Sequence, residues 1–228
     1  MKPDLLILHG AIGASSQFDR LANLLDEYYT IHRFNFEGHG GRATDQPYSI
    51  ELFSQNLIDY TEEHSLGNPF VFGYSMGGYV TLHAISQGLR VKKLMTLGTK
   101  FNWTPEGAQH EVKLLNPSVI EEKIPKFAAY QESLHSPLDW KIVMQETADM
   151  MVRLGNSPVL TSELLNTVQT EVLCCVGLKD SMVTLEETIA TVDQLPNGSL
   201  HTFEEFEHPI EKVDLEQLCS SIRETLPN

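Results

Sequence analysis

Short apolar runs that alternate with helix-period segments constrain this chain more than any other feature. Residues 4–9 (DLLILH) read as a buried strand, and Ser16 to Glu27 as a helix. Tyr28 to Phe36 reads as a second strand and Ile50 to His64 as a second helix. Four more strands are expected: PFVFG at 69–73, VKKLMTLG at 91–98, EVLCCVG at 171–177, and Ser199 to Phe203. Helical patterns cover Met76 to Gln87, Thr184 to Gln194 and Glu211 to Leu226. Strands that are apolar on both faces and joined by helices predict an α/β fold. Its sheet should be mainly parallel, with about six strands flanked by helices.

Residues 101–170 break the alternation. They hold amphipathic helical patterns around 105–115, 117–134, 137–153 and 161–168, with Pro105, Pro117, Pro137 and Pro158 at or near helix starts. A helical insertion between two parallel strands lies over the carboxyl edge of the sheet, where such folds bind ligands. The expected division is a core made of 1–100 and 171–228, with 101–170 as a lid inserted in it.

Charge narrows the partners. Sixteen Lys and Arg against 31 Asp and Glu give a formal charge of -15, which repels phosphate backbones and anionic lipid. A nucleic-acid or membrane partner is therefore not expected, and no apolar run is long enough to span a bilayer. Residues 1–10 lack the pattern of a signal peptide. Cys174, Cys175 and Cys219 are read as core thiols in a reducing cytoplasm.

The strongest chemical signal is Gly73-Tyr74-Ser75-Met76-Gly77-Gly78, which fits G-x-S-x-G at a strand-to-helix junction. A serine on so sharp a turn projects its hydroxyl at the carboxyl edge, beside unpaired helix N–H groups. It needs a base, and His208 lies between the last strand and the last helix. The base needs a carboxylate, and Asp180 follows strand 171–177. Two backbone N–H groups are expected to stabilise an oxyanion: Met76, after the serine, and Ala11, in the His9-Gly10-Ala11 turn after the first strand.

LHGAIG (8–13), RFNFEGHG (33–40), GYSMGG (73–78), GLKDSMV (177–183) and EHP (207–209) together resemble the α/β-hydrolase superfamily, in its lidded serine hydrolase and esterase branch. The resemblance implies a fold whose opening strand hairpin is lacking here, since only Met1 to Pro3 precede the first strand. Two further departures stand out. Asn35 replaces the usual Asp of the G-H-G loop, and Glu207 replaces the usual Gly before the base. Glu207 is expected to point to solvent.

The remaining residues are read more plainly. His9 is expected to hydrogen-bond its own loop, His39 to be structural, and His135 to lie at the surface. No histidine group has metal-ligand spacing, so neither a metal nor another cofactor is expected. Lys100 and Arg153 are read as solvated charges. Most lid aromatics and methionines should pack lid on core, while Trp103, Tyr130, Trp140 and Met144 are the candidates for the substrate pocket. The expected activity is hydrolysis of a small to medium carboxylic ester or thioester through an acyl-enzyme. The alternatives are a C–C bond hydrolase or lyase using the same three residues, and a receptor-like member with little turnover.

Overall fold

The computed structural model describes residues 2–227. Its sheet has six strands: β1 (Asp4–Leu8), β2 (Thr30–His32), β3 (Phe70–Tyr74), β4 (Lys93–Leu97), β5 (Glu171–Gly177) and β6 (Gly198–Phe203). All pair in parallel, in the order β2-β1-β3-β4-β5-β6. The chain leaves β1 for the edge strand β2, then crosses back to put β3 on the other side of β1. The carboxyl ends of β1 and β3 therefore flank the crevice where connections diverge in opposite directions.

Alternation along the central strands builds two cores. Leu6 and Leu8 of β1, Val71 of β3 and Leu94 of β4 face one side. There they meet α2 (Ile50–Glu63) and α3 (Met76–Ser86) through Phe53, Leu57, Tyr79 and Val80. Leu5, Ile7, Phe70, Phe72 and Met95 face the other side. They meet α1 (Asp19–Leu25) and the last helix (Leu215–Thr225) through Leu21, Leu25, Leu218 and Ile222. Leu5 to Leu8 are wholly buried. Each such side chain contributes about 1.5–3 kcal/mol from removal of apolar surface from water. The three cysteines are buried and free.

Five helices intervene between β4 and β5: α4 (Pro105–Leu114), α5 (Pro117–Lys123), α6 (Pro125–His135), α7 (Trp140–Asn156) and α8 (Ser162–Leu165). Proline at the first helical position starts α4, α5 and α6, where a missing N–H costs nothing. The Thr104 and Asn116 side chains cap α4 and α5 by accepting from Gly107 N and Val119 N. Pro125 therefore separates two helices where one interrupted pattern was expected. The next helix starts at Trp140 after the Asp139 cap, later than the pattern at Pro137 implied. Val143, Met150 and Leu154 of α7 join the same core as α2 and α3, so this segment shares the main core.

Two further expectations differ from the structure. Strand β2 covers only Thr30–His32 of the nine residues expected, because Phe34 and Phe36 turn inward on a loop, Phe34 against Tyr60 and Phe36 against Phe53. His135 is wholly buried. Its Nδ1 accepts from Gly40 N at 3.0 Å and its Nε2 lies 3.1 Å from the Ile12 carbonyl. This imidazole ties α6 to two core loops, a tertiary role invisible in helix periodicity.

Candidate active site

Strand β3 delivers Ser75 to the crevice. Ser75 has φ 50° and ψ -117°, a strained conformation for a residue with a side chain. It stands immediately before α3, and the flanking glycines show why the turn can be so tight. A Cβ on Gly73 would lie 2.6 Å from Gly78 Cα, and one on Gly77 would lie 2.8 Å from the Leu8 carbonyl oxygen. Two hydrogen bonds hold the turn: Ser75 N donates to Leu97 O at 2.8 Å, and Thr99 Oγ1 donates to Ser75 O at 2.9 Å.

Ser75 Oγ lies 3.2 Å from His208 Nε2, and His208 Nδ1 lies 2.8 Å from Asp180 Oδ2. The carboxylate can only accept, so Nδ1 carries the proton and Nε2 faces the serine as an acceptor. The second carboxylate oxygen, Asp180 Oδ1, accepts from Met182 N at 2.8 Å and Val183 N at 2.9 Å. Asp180 is thereby fixed with its charge compensated in a nearly closed site, its side chain 2% exposed. Tyr74 OH donates to the His208 carbonyl at 2.6 Å, tying the histidine loop to β3. Burial pushes the Tyr74 phenol up, so it stays a donor. Glu207 is exposed and pairs with Lys212.

The loop after β1 is organised by His9. This imidazole is wholly buried, and burial lowers its pKa to about 4. Its Nε2 accepts from Phe36 N at 3.2 Å, so Nδ1 carries the proton and donates to Gly10 O at 2.8 Å. The carbonyl and N–H of a trans peptide point in opposite directions. Gripping the Gly10 carbonyl therefore turns the Ala11 N–H the other way. Among the described residues, neither Ala11 N nor Met76 N donates a hydrogen bond within the protein. Both residues line the cavity with Ser75.

That cavity holds about 300 Å³ and is mainly apolar. Trp103, Leu115, Phe127, Met150, Met151 and Leu154 supply its walls from the helical segment, over Tyr79 and Met182 from the core. Of the pocket candidates named from the sequence, Trp103 lines it and the other three do not. Trp140 and Met144 sit one turn apart at the start of α7 and pack with Ile120 and Ala128 in a separate small cluster. Tyr130 lies at the rim, 38% exposed, with its hydroxyl donating to Glu211 Oε1 at 3.1 Å. Burial and Glu211 push the Tyr130 phenol up to about 12.

Lys100 is also not the solvated charge expected. Its side chain is 15% exposed, lines the cavity and lies 3.7 Å from Glu111 and 3.9 Å from Glu187. Arg153 donates to the Tyr48 carbonyl at 2.6 Å. Two site residues went unforeseen. Tyr74 reads as filler in the G-x-S-x-G motif, yet strand alternation puts it on the same face as Phe72. Glu111 reads as a surface charge, but it follows buried Ala108 by three residues and so shares its helix face.

The sequence profile of the alpha/beta hydrolase family matches residues 5–212, and the chain belongs to that family. It is similar to a pimeloyl-[acyl-carrier protein] methyl ester esterase of Vibrio campbellii, 23% identical across 97% of this chain and 94% of that protein. It is also similar to an ethanol acetyltransferase of Hanseniaspora uvarum, 31% identical over 85 residues. There the match covers 36% of this chain and spans a quarter of the length of that relative. An esterase from Exiguobacterium antarcticum shares the fold, with a TM-score of 0.77 at 18% identity over 99% of this chain and 92% of that one.

Proposed function

We propose that this protein is a serine hydrolase that cleaves a small to medium carboxylic ester or thioester through an acyl-enzyme. The hydrogen-bonded series Ser75–His208–Asp180, opening on an apolar cavity, carries the reading. In this account Ser75 Oγ attacks the carbonyl carbon while His208 Nε2 takes its proton. Asp180 holds the tautomer and stabilises the imidazolium. The Ala11 and Met76 N–H groups bind the developing oxyanion. As the intermediate collapses, Nε2 returns the proton to the departing alkoxide or thiolate. Water, activated by the same imidazole, then releases the acid.

Residues 101–170 act as a lid that excludes water and supplies the apolar wall for the organic part of the substrate. No metal or cofactor takes part in these steps. The three buried free thiols support a reducing, cytoplasmic setting.

The test is pre-steady-state hydrolysis of p-nitrophenyl esters from acetate to octanoate, beside acyl-CoA thioesters and a C–C diketone. An acyl-enzyme predicts turnover with acyl-Ser75 trapped by acid quench and seen by mass spectrometry, and a p-nitrophenol burst that approaches the enzyme concentration for any ester whose deacylation is the slower step. Cleavage of the diketone alone would move the protein to C–C hydrolysis. Tight binding without turnover would make it a receptor.

A further inference from the structure

Among the described residues, one buried side-chain oxygen on a residue that lines the apolar cavity has no partner. Glu111 is 5% exposed and lines the cavity from the lid helix α4. Its Oε1 faces Lys100 Nζ at 3.7 Å. Its Oε2 is buried and, among the described residues, meets no hydrogen-bond donor. A buried carboxylate oxygen without a donor is costly to keep, so its environment is incomplete as it stands.

The neighbouring groups define what would complete it. Lys100 Nζ donates to Met182 O at 3.2 Å and lies between Glu111 and Glu187, so its position is fixed from three sides. Glu187 is already served by the backbone: Oε1 accepts from Phe101 N at 3.0 Å and Asn102 N at 3.4 Å, and Oε2 from Thr184 N at 3.4 Å. Lys100 thus faces two carboxylates at this end of the cavity, and an anion placed beside its Nζ would also stand beside Glu111. Glu211, at the rim, adds a further carboxylate to the lining.

We infer that Lys100 and Glu111 form a polar subsite in which Glu111 Oε2 accepts a hydrogen bond from a non-anionic donor on the substrate, a hydroxyl, amide N–H or primary ammonium group remote from the scissile bond. The inference rests on the reading of this cavity as the substrate pocket, and adds what that substrate must carry. A substrate ending in a carboxylate or phosphate would meet like charge there, in a site too dry to screen it. A purely apolar substrate would cover Glu111 Oε2 without satisfying it. The specificity so obtained is of the strong kind, because the wrong partner leaves a buried polar group unpaired.

Binding to the Ser75→Ala protein tests this separately from catalysis. Trp103 lines the same cavity with its ring 5.9 Å from Lys100 Nζ, so its emission reports occupancy. Methyl esters of linear acids with a methyl, hydroxyl, ammonium or carboxylate group at the far end are titrated over chains of about four to ten carbons. At one chain length the ammonium and hydroxyl esters should bind about tenfold tighter than the alkyl ester, and the carboxylate ester about tenfold weaker. Glu111→Gln should remove most of the ammonium preference and keep part of the hydroxyl preference, while alkyl-ester affinity rises because an amide costs less to cover than a carboxylate. Retained alkyl-ester binding also checks that the cavity is intact. Equal binding of the alkyl, hydroxyl and ammonium esters at every length would overturn the subsite, as would a preference for the carboxylate or a donor preference that survives in both Glu111→Gln and Glu111→Leu. Those outcomes are independent of ester turnover by the wild-type protein, whose absence would instead remove the hydrolase reading.

Discussion

Gly98 follows β4 with φ 60°, directly behind the contact between the candidate base and its carboxylate. A Cβ at this position would stand 3.2 Å from Asp180 Oδ2 and 3.3 Å from His208 Nδ1, the two atoms joined by the 2.8 Å hydrogen bond. Gly98→Ala therefore has two effects that can be separated. The left-handed backbone costs about 1–2 kcal/mol of stability for any residue with a side chain. The methyl group also forces Asp180 and His208 to move by a few tenths of an ångström. An ångström of misplacement can cost about a hundredfold in rate, so this displacement should lower kcat/KM for p-nitrophenyl acetate by about fourfold. Gly88 supplies the control: its φ is 103°, but a Cβ there meets nothing within 4 Å. Urea melts should show both alanine variants losing stability to a similar degree, while only Gly98→Ala loses turnover. Equal turnover losses in the two, or full turnover in Gly98→Ala, would refute the reasoning.

Four further outcomes follow from named contacts. His9 is neutral in the fold, with its pKa lowered to about 4 from the ordinary 6.5. Between those values the unfolded chain binds the proton and the folded chain does not. Stability is therefore complete above pH 6.5 and falls with pH, by about 2 kcal/mol from His9 at pH 5. His39 and His135, also lowered by burial, act in the same direction. Denaturant midpoints between pH 7.5 and 5 check this, and His9→Asn should flatten the slope. Trp103→Ala should move the preferred acyl chain to longer esters, with each added methylene worth about 0.8 kcal/mol, or nearly fourfold in kcat/KM. Trp140→Ala should leave the acetate-to-hexanoate ratio unchanged but cost about 3–5 kcal/mol of stability, because that ring packs in the separate Ile120–Met144 cluster. Asp180→Asn should lower kcat by several orders of magnitude with little change in KM, since an amide facing Nδ1 favours the wrong tautomer.

The sheet was legible because a strand buried on both faces leaves a continuous apolar run, as Leu5 to Leu8 do in β1 and Val172 to Val176 in β5, and because helix-period segments separate the shorter runs. Strand β2 was overestimated because Phe34 and Phe36 carry the same apolar signal from a loop. Ser75, Asp180 and His208 were legible because a parallel sheet brings the residues just after its strands to one edge. Knowing the strands is then enough to know which loops converge. The cavity wall was not legible on the same terms. Periodicity shows that Trp140, Met144, Met150 and Met151 are all inward on α7, yet half of them face α5 and α6 and half face the cavity. That partition depends on how five short helices pack, which no local pattern encodes. Lys100 and His135 were misjudged for a related reason. A charged or polar side chain reads as solvated until its buried partners are known, and Glu111, Glu187 and the Ile12 carbonyl come from distant segments.

The central claim is that Ser75 is an activated nucleophile. Reaction of the folded protein with a fluorophosphonate, followed by mass spectrometry of its peptides, tests that claim most directly. One adduct per chain is predicted, on the peptide that contains Ser75, formed within minutes and absent from Ser75→Ala. An adduct on another serine, or none on protein shown to be folded, would contradict it.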